Sequence, residues 1–105
     1  MPEFNEDFIS LSDLLTLRAK TSPNNVFIIS GETVITYTSA EYMVETVARN
    51  LHRLGIIPKN RVGLLFDRTP RLIISFLALV RSGAYPVPIN YYLSVSYTHL
   101  RAHET

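Results

Sequence analysis

His99 and His103 stand four residues apart with Glu104 adjoining, a spacing that lays two imidazoles on one helical face, where ring nitrogens and a carboxylate can ligate a divalent cation. No third, distant ligand completes such a site. The stretch also has another origin. Val95 to Thr105 reads, residue for residue, as the one-frame translation of a transposase mosaic-end sequencing adaptor, and Ser94 fits the same source. Residues 94–105 are therefore expected to be a non-native tail, set aside before the fold is considered.

Asp67 and Arg68 follow an expected parallel strand, at the carboxyl end where open α/β sheets place ligand contacts. The same pair serves equally as a polar turn capped by Thr69, and that structural role is the expectation here. Lys59, Arg61, Arg68 and Arg71 cluster in sequence as a phosphate- or nucleic-acid-binding surface would. A net charge of +1 and the lack of interleaved aromatic residues favour solvated turn residues instead, with no nucleic-acid partner. His52 is expected to be solvated, and Arg49 and Arg53 to meet the negative end of their helix. Tyr37, Tyr42 and Tyr85 are expected at core edges, their hydroxyls reaching polar partners.

The chain has 105 residues, 47% hydrophobic and 18% charged, which is enough apolar material for one globular domain. Zero cysteines exclude a disulfide framework and a thiol nucleophile, and fit a reducing cytosol, so a cytoplasmic location is expected. No secretory signal is visible at the N-terminus. The longest apolar run, Leu72 to Val80, is about half of what a membrane span requires, so no integral membrane segment is expected.

Local signals order the elements. Ser10-Leu-Ser-Asp13 is a capping pattern ahead of Leu11, Leu14 and Leu15, and Pro23 limits the helix to roughly 11–21. Val26 to Ile29 and Thr33 to Tyr37 are β-branched and aromatic runs around Ser30-Gly31-Glu32, which predicts a hairpin. Thr38-Ser-Ala-Glu41 reads as a second capping box, with Met43, Val47, Leu51 and Leu54 as the apolar stripe behind it. Gly55 ends that helix and Pro58 prevents its resumption.

Val62 to Phe66 has no polar alternation, which suits a parallel strand covered on both faces. Thr69 and Pro70 cap and open a third helix over about 70–82, closed by Gly83, and Ala84 to Ile89 returns as a strand. A strand-helix-strand order implies a right-handed parallel crossover. Around the third helix, Leu72, Ile73, Ile74, Phe76, Leu77, Leu79 and Val80 leave only the stripe Arg71, Ser75, Ala78 and Ser82. Such a helix needs burial on several sides, so these residues are expected to belong to something larger.

This order of elements, with Ile35-Thr-Tyr37, Arg61-Val-Gly-Leu-Leu65 and the run Phe76-Leu-Ala-Leu-Val-Arg-Ser-Gly-Ala-Tyr-Pro-Val-Pro-Ile-Asn90, resembles the start of the adenylate-forming ligase superfamily. That superfamily holds acyl- and aryl-CoA synthetases, luciferases and the adenylation domains of nonribosomal peptide synthetases. Ile35-Thr-Tyr37 is similar to its early Thr-Tyr motif. The last run is similar to Lys-x-Gly-Ala-x-x-x-Pro-(Leu/Ile)-(Asp/Asn), with Arg81 where Lys is common. Asn90 in place of Asp leans towards the acyl-CoA synthetases.

The resemblance implies an α/β fold in which residues 1–93 form part of the N-terminal subdomain of a large AMP-binding domain: three helices, a β-hairpin and a parallel βαβ unit. It further implies ATP and Mg²⁺ as cofactors, a carboxylic acid as substrate, and CoA or a carrier-protein thiol as acceptor. The family's phosphate loop, its Tyr-Gly-x-Thr-Glu and Thr-Gly-Asp segments and its C-terminal lysine all come later in the chain. No catalytic, cofactor-binding or metal-binding residue is therefore carried over, and the residues present are expected to be inactive alone. Two other classes fit the residues themselves. A stand-alone α/β interaction domain would unfold cooperatively, and a membrane-associating hairpin over 72–93 would bind liposomes.

Sequencing the nucleotides that encode residues 94–105 in the source DNA is expected to return the adaptor. Ordinary coding bases at that position would restore His99 and His103 as ligand candidates.

Overall fold

The computed structural model describes residues 10–65 and 68–89. Phe66, Asp67, Asn90, the lead-in 1–9 and the tail with His99, His103 and Glu104 lie outside the described residues. Among the described residues three helices and four strands follow in the order α1 (Leu11–Thr21), β1 (Val26–Ser30), β2 (Thr33–Thr36), α2 (Tyr37–Arg53), β3 (Arg61–Leu65), α3 (Pro70–Arg81) and β4 (Tyr85–Ile89). This is the expected α/β arrangement: a hairpin, three helices and a parallel strand-helix-strand unit.

Each helix begins where a hydroxyl meets unpaired backbone N–H groups. Ser10 accepts from the Asp13 N–H at 3.0 Å while the Ser10 N–H donates to the Asp13 carboxylate at 3.3 Å, completing the predicted box. Thr69 caps α3, whose first residue is Pro70. The second box is displaced. Thr36, not Thr38, caps α2 by accepting from the Ser39 N–H at 3.2 Å. The Thr38 hydroxyl donates instead to the Pro23 carbonyl at 3.0 Å, and the Glu41 carboxylate is engaged elsewhere.

β1 and β2 pair antiparallel, with Ser30 opposite Thr33 around a two-residue turn whose first residue, Gly31, has φ +60. A turn of that length with a left-handed first residue requires glycine there. The hairpin buries Ile28 and Ile35, which are register partners, and leaves Ile29 and Val34 outside. Leu15, Ala40, Val44, Ile74, Leu77 and Ala78 join those two isoleucines in one core.

Two expected stripes are rotated. On α2 the buried residues are Ala40 and Val44, flanked by Val47, Ala48 and Leu51, whereas Met43 and Leu54 are exposed. On α3 the small residue Ala78, expected on the polar stripe, is fully buried, and Ile73 is 41% exposed. Small side chains at Ala40 and Ala78 allow helix axes to approach closely, so shape rather than hydrophobicity chose the contact.

β3 and β4 pair parallel from Arg61 opposite Tyr85 to Leu65 opposite Ile89. Val62, Leu64 and Pro86 are half-buried on the face that meets α3. Leu65, Tyr85, Val87 and Ile89 remain exposed on the other, so the double coverage expected for β3 is met on one side only. The entrance to this unit is tied by backbone bonds: Lys59 N–H donates to the Gly83 carbonyl at 2.8 Å, and Tyr85 N–H to the Asn60 carbonyl at 2.7 Å. Gly83 has φ +78, and a Cβ there would lie 3.2 Å from the Pro58 Cβ.

Gly83→Ala is therefore expected to destabilise the chain by about 2–3 kcal/mol, backbone strain and contact combined. Gly31→Ala, where nothing lies within 4 Å, should cost only about 1 kcal/mol. Urea denaturation of the two variants side by side checks the ordering.

Candidate functional site

The four cations named from sequence are not brought together. Lys59 and Arg61 lie at the start of β3, while Arg68 and Arg71 lie beyond its end at the first turn of α3. Four residue steps along the strand separate the two pairs by at least about 13 Å. The Arg71 N–H and Nε both donate to the Thr69 hydroxyl, at 3.3 and 3.2 Å, so the carboxyl end of β3 is organised as a helix cap. Asp67 lies outside the described residues.

On α2, Arg49 pairs loosely with Glu45 at 3.9 Å, Arg53 donates to the Asn50 side chain at 3.5 Å, and His52 is exposed. Tyr37 stacks on Phe27 with ring centroids 5.1 Å apart, a core-edge position as expected. Tyr42 and Tyr85 do not take such positions: they are 70% and 52% exposed. Tyr42 lies on the solvent side of α2, and Tyr85 on the uncovered face of the parallel pair.

The densest polar constellation was not visible from spacing. Ser12 and Thr16, one turn apart on α1, meet Glu41 of α2 and Arg81 at the last turn of α3. Arg81 donates Nε to the Ser12 hydroxyl at 2.6 Å and Nη2 to the Ser12 carbonyl at 3.1 Å and the Thr16 hydroxyl at 2.8 Å. Its two terminal nitrogens grip the two Glu41 oxygens, Nη1 to Oε2 at 3.0 Å and Nη2 to Oε1 at 2.8 Å. The Thr16 hydroxyl lies 3.1 Å from both of those oxygens. Ser12 is only 1% exposed, and the ion pair keeps 21% of each side chain accessible.

Chemically this is a clamp rather than a reaction centre. A bidentate guanidinium and a hydroxyl occupy the carboxylate lone pairs that a general base would need. The signals that could have pointed to it are Ser12 and Thr16 at an i, i+4 interval on a leucine-rich helix, and a lone Arg closing an apolar one. Among the described residues, no group of three or more His, Cys, Asp or Glu could hold a metal ion. No helix among them is long and apolar enough to cross a membrane.

Beside the clamp, α1, α3 and the strand ends enclose an open apolar hollow of about 640 Å³. Leu14, Phe27, Tyr37, Leu64, Ile73 and Phe76 line it, with Arg18 the only charged residue on its wall among the described residues.

Comparison with known proteins gives a consistent result. Residues 15–102 match the family of AMP-binding enzymes, a match that runs into the stretch read above as a tail. The HC-toxin synthetase of Cochliobolus carbonum is 32% identical over 91 residues, which are 87% of this chain and 2% of that protein. The N-terminal subdomain of Klebsiella oxytoca NpsA superposes with a TM-score of 0.75 at 28% identity, covering 79% of this chain and 22% of that one. A fatty acyl-adenylate ligase from L. pneumophila, solved with acyl adenylate and pyrophosphate, superposes with a TM-score of 0.71 at 34% identity, covering 77% and 15%. The chain thus spans only a small part of the relatives it matches.

Arg81→Lys retains the charge but not the fork, and is expected to destabilise by about 2 kcal/mol. Replacing both Arg81 and Glu41 with Met should cost less than the sum of the single changes, with a coupling of about 1–3 kcal/mol in a double-mutant cycle. Additive single effects would remove the clamp from the account of stability.

Proposed function

The chain belongs to the AMP-binding enzyme family, and we propose that it is the N-terminal part of an ATP-dependent carboxylic acid ligase whose reacting groups lie elsewhere in the complete protein. In that reading a substrate carboxylate oxygen attacks the α-phosphate of ATP, and pyrophosphate leaves as the acyl-adenylate forms. A thiol of CoA or of a carrier protein then attacks the acyl carbon, and AMP leaves. Bound Mg²⁺ supplies charge neutralisation to the phosphates.

In this reading neither ATP nor Mg²⁺ is assigned to a described residue. Glycines 31, 55, 63 and 83 stand apart, so no glycine-rich run presents successive N–H groups to a phosphate. No step is accordingly assigned to a residue of this chain. Its contribution is positional: the clamp and the parallel β3-α3-β4 unit form a rigid corner from which later elements continue. The observation that carries this reading is the superposition, at 34% identity, on a ligase solved with an acyl adenylate and pyrophosphate. We further read residues 1–93 as the genuine part of the subdomain and residues 94–105 as foreign to it.

The test uses the complete gene product recovered by sequencing past codon 93. It is expected to exchange labelled pyrophosphate into ATP in the presence of a carboxylic acid, while the 105-residue chain shows no exchange. Absence of acid-dependent exchange across fatty, aryl and amino acids would overturn the assignment.

A further inference from the structure

A second groove, of about 580 Å³, lies where the end of α2 meets the turn before β3 and the last turn of α3. Ile56, Ile57 and Pro58 give it an apolar lining, and Arg49, His52 and Arg53 stand exposed along it. Residues 46–66 carry Arg49, Arg53, Lys59 and Arg61 and no Asp or Glu. The negative end of α2 accounts for little of this charge, since of these four cations only Arg53 lies in its last turn. The partners of the two arginines on α2 are weak: Arg49 reaches Glu45 at 3.9 Å, and Arg53 the Asn50 side chain at 3.5 Å. Most of their guanidinium donors are left for another acceptor. Lys59, next to Pro58, holds its place at a conformational cost. Its φ is +74, in a turn closed by the Asn60 N–H on the Ile57 carbonyl at 3.2 Å, where glycine would sit without strain.

We propose that this cationic groove is the docking site of the chain's own acidic lead-in, residues 1–9. Those residues carry Glu3, Glu6 and Asp7 interleaved with Phe4 and Phe8, and no Lys or Arg. Carboxylates answer the guanidinium groups, and the rings answer the apolar lining. The lead-in also joins the fold close by. It enters α1 at Ser10, and the Ser12 hydroxyl accepts at 2.6 Å from Arg81, which itself lines the groove. Nine extended residues span up to about 30 Å, whereas the α2 face from Ala48 to Arg53 is only about 8 Å long. The apolar hollow is a poorer host for three carboxylates, since among the described residues Arg18 is its one charge. An acidic segment of another protein would meet the same chemistry, but a tether gives the chain's own segment a roughly millimolar effective concentration. The inference rests on no part of the ligase reading.

The chain has no cysteine, so Ile57→Cys, in the groove, and Ile29→Cys, on the outer face of the hairpin, report accessibility without background. Alkylation of each thiol in the 105-residue chain at low salt is quantified by mass. Position 57 should react about 10-fold more slowly than in the same chain carrying Glu3→Gln, Glu6→Gln and Asp7→Asn, while position 29 reacts alike in both. About 0.5 M salt should close the gap. Arg49→Glu with Arg53→Glu should also remove the protection. Adding Glu3→Lys, Glu6→Lys and Asp7→Lys to that pair should restore it, which a loss of folding could not do. Equal rates at position 57 with and without the three acids would overturn the proposal and leave the groove to an acidic segment of another protein. Protection that survives Arg49→Glu with Arg53→Glu would overturn it too. So would protection that grows with protein concentration, which identifies the lead-in of a second copy as the occupant.

Discussion

A single guanidinium joins the three helices. Arg81 closes α3, reaches across to Glu41 on the first turns of α2, and holds both a hydroxyl and a carbonyl of Ser12 on α1. Apolar packing brings these helices together but is non-directional, so it leaves them free to slide and rotate. A planar fork with fixed donor directions removes that freedom. The residues it grips lie 40 to 69 positions away in sequence, so the contact also fixes how distant segments meet. Because Arg81 directly precedes the Ser82-Gly83 turn into β4, the same contact sets where the parallel pair begins.

With that corner fixed, the distribution of apolar surface follows. Ala40, Val44 and Ala78 fill the tight side, where α2 and α3 pack. The bulkier Leu72, Ile73 and Phe76 are left to face the hollow, and Leu65, Val87 and Ile89 face outward from the parallel strands. Among the described residues these two strands have both outer edges unpaired and one apolar face open, a seed of a sheet rather than a finished one. A part of this kind suits the function proposed above, in which the chemistry falls to later segments and this one supplies a frame.

Local chemistry was legible with little loss. Ser10 with Asp13, Thr69 with Pro70, and the glycines at 31, 55 and 83 mark element ends, and α1 and α3 occupy nearly the expected spans. Errors arose where two local solutions competed. Thr36 and Thr38 both precede a helix-forming run with a partner three residues on, and spacing cannot choose between them. The choice fell to Thr36 because Thr38 is drawn to the Pro23 carbonyl and Glu41 to Arg81. The stripe of α2 was misplaced for a related reason, since counting large apolar residues favours Met43 and Leu54 over the small ones that permit close packing.

The candidate phosphate- or nucleic-acid-binding surface was also separable by local argument: four cations spread over Lys59 to Arg71 cannot converge when an extended strand runs between them. Element identity, order and termini thus follow from the sequence itself, because capping, turn and periodicity signals act between residues a few positions apart. The Arg81–Glu41–Ser12 clamp, the rotation of each helix about its axis and the uncovered hollow came only from the tertiary structure. Each depends on which segments from distant parts of the chain meet and how closely their backbones approach, and no short-range pattern encodes that.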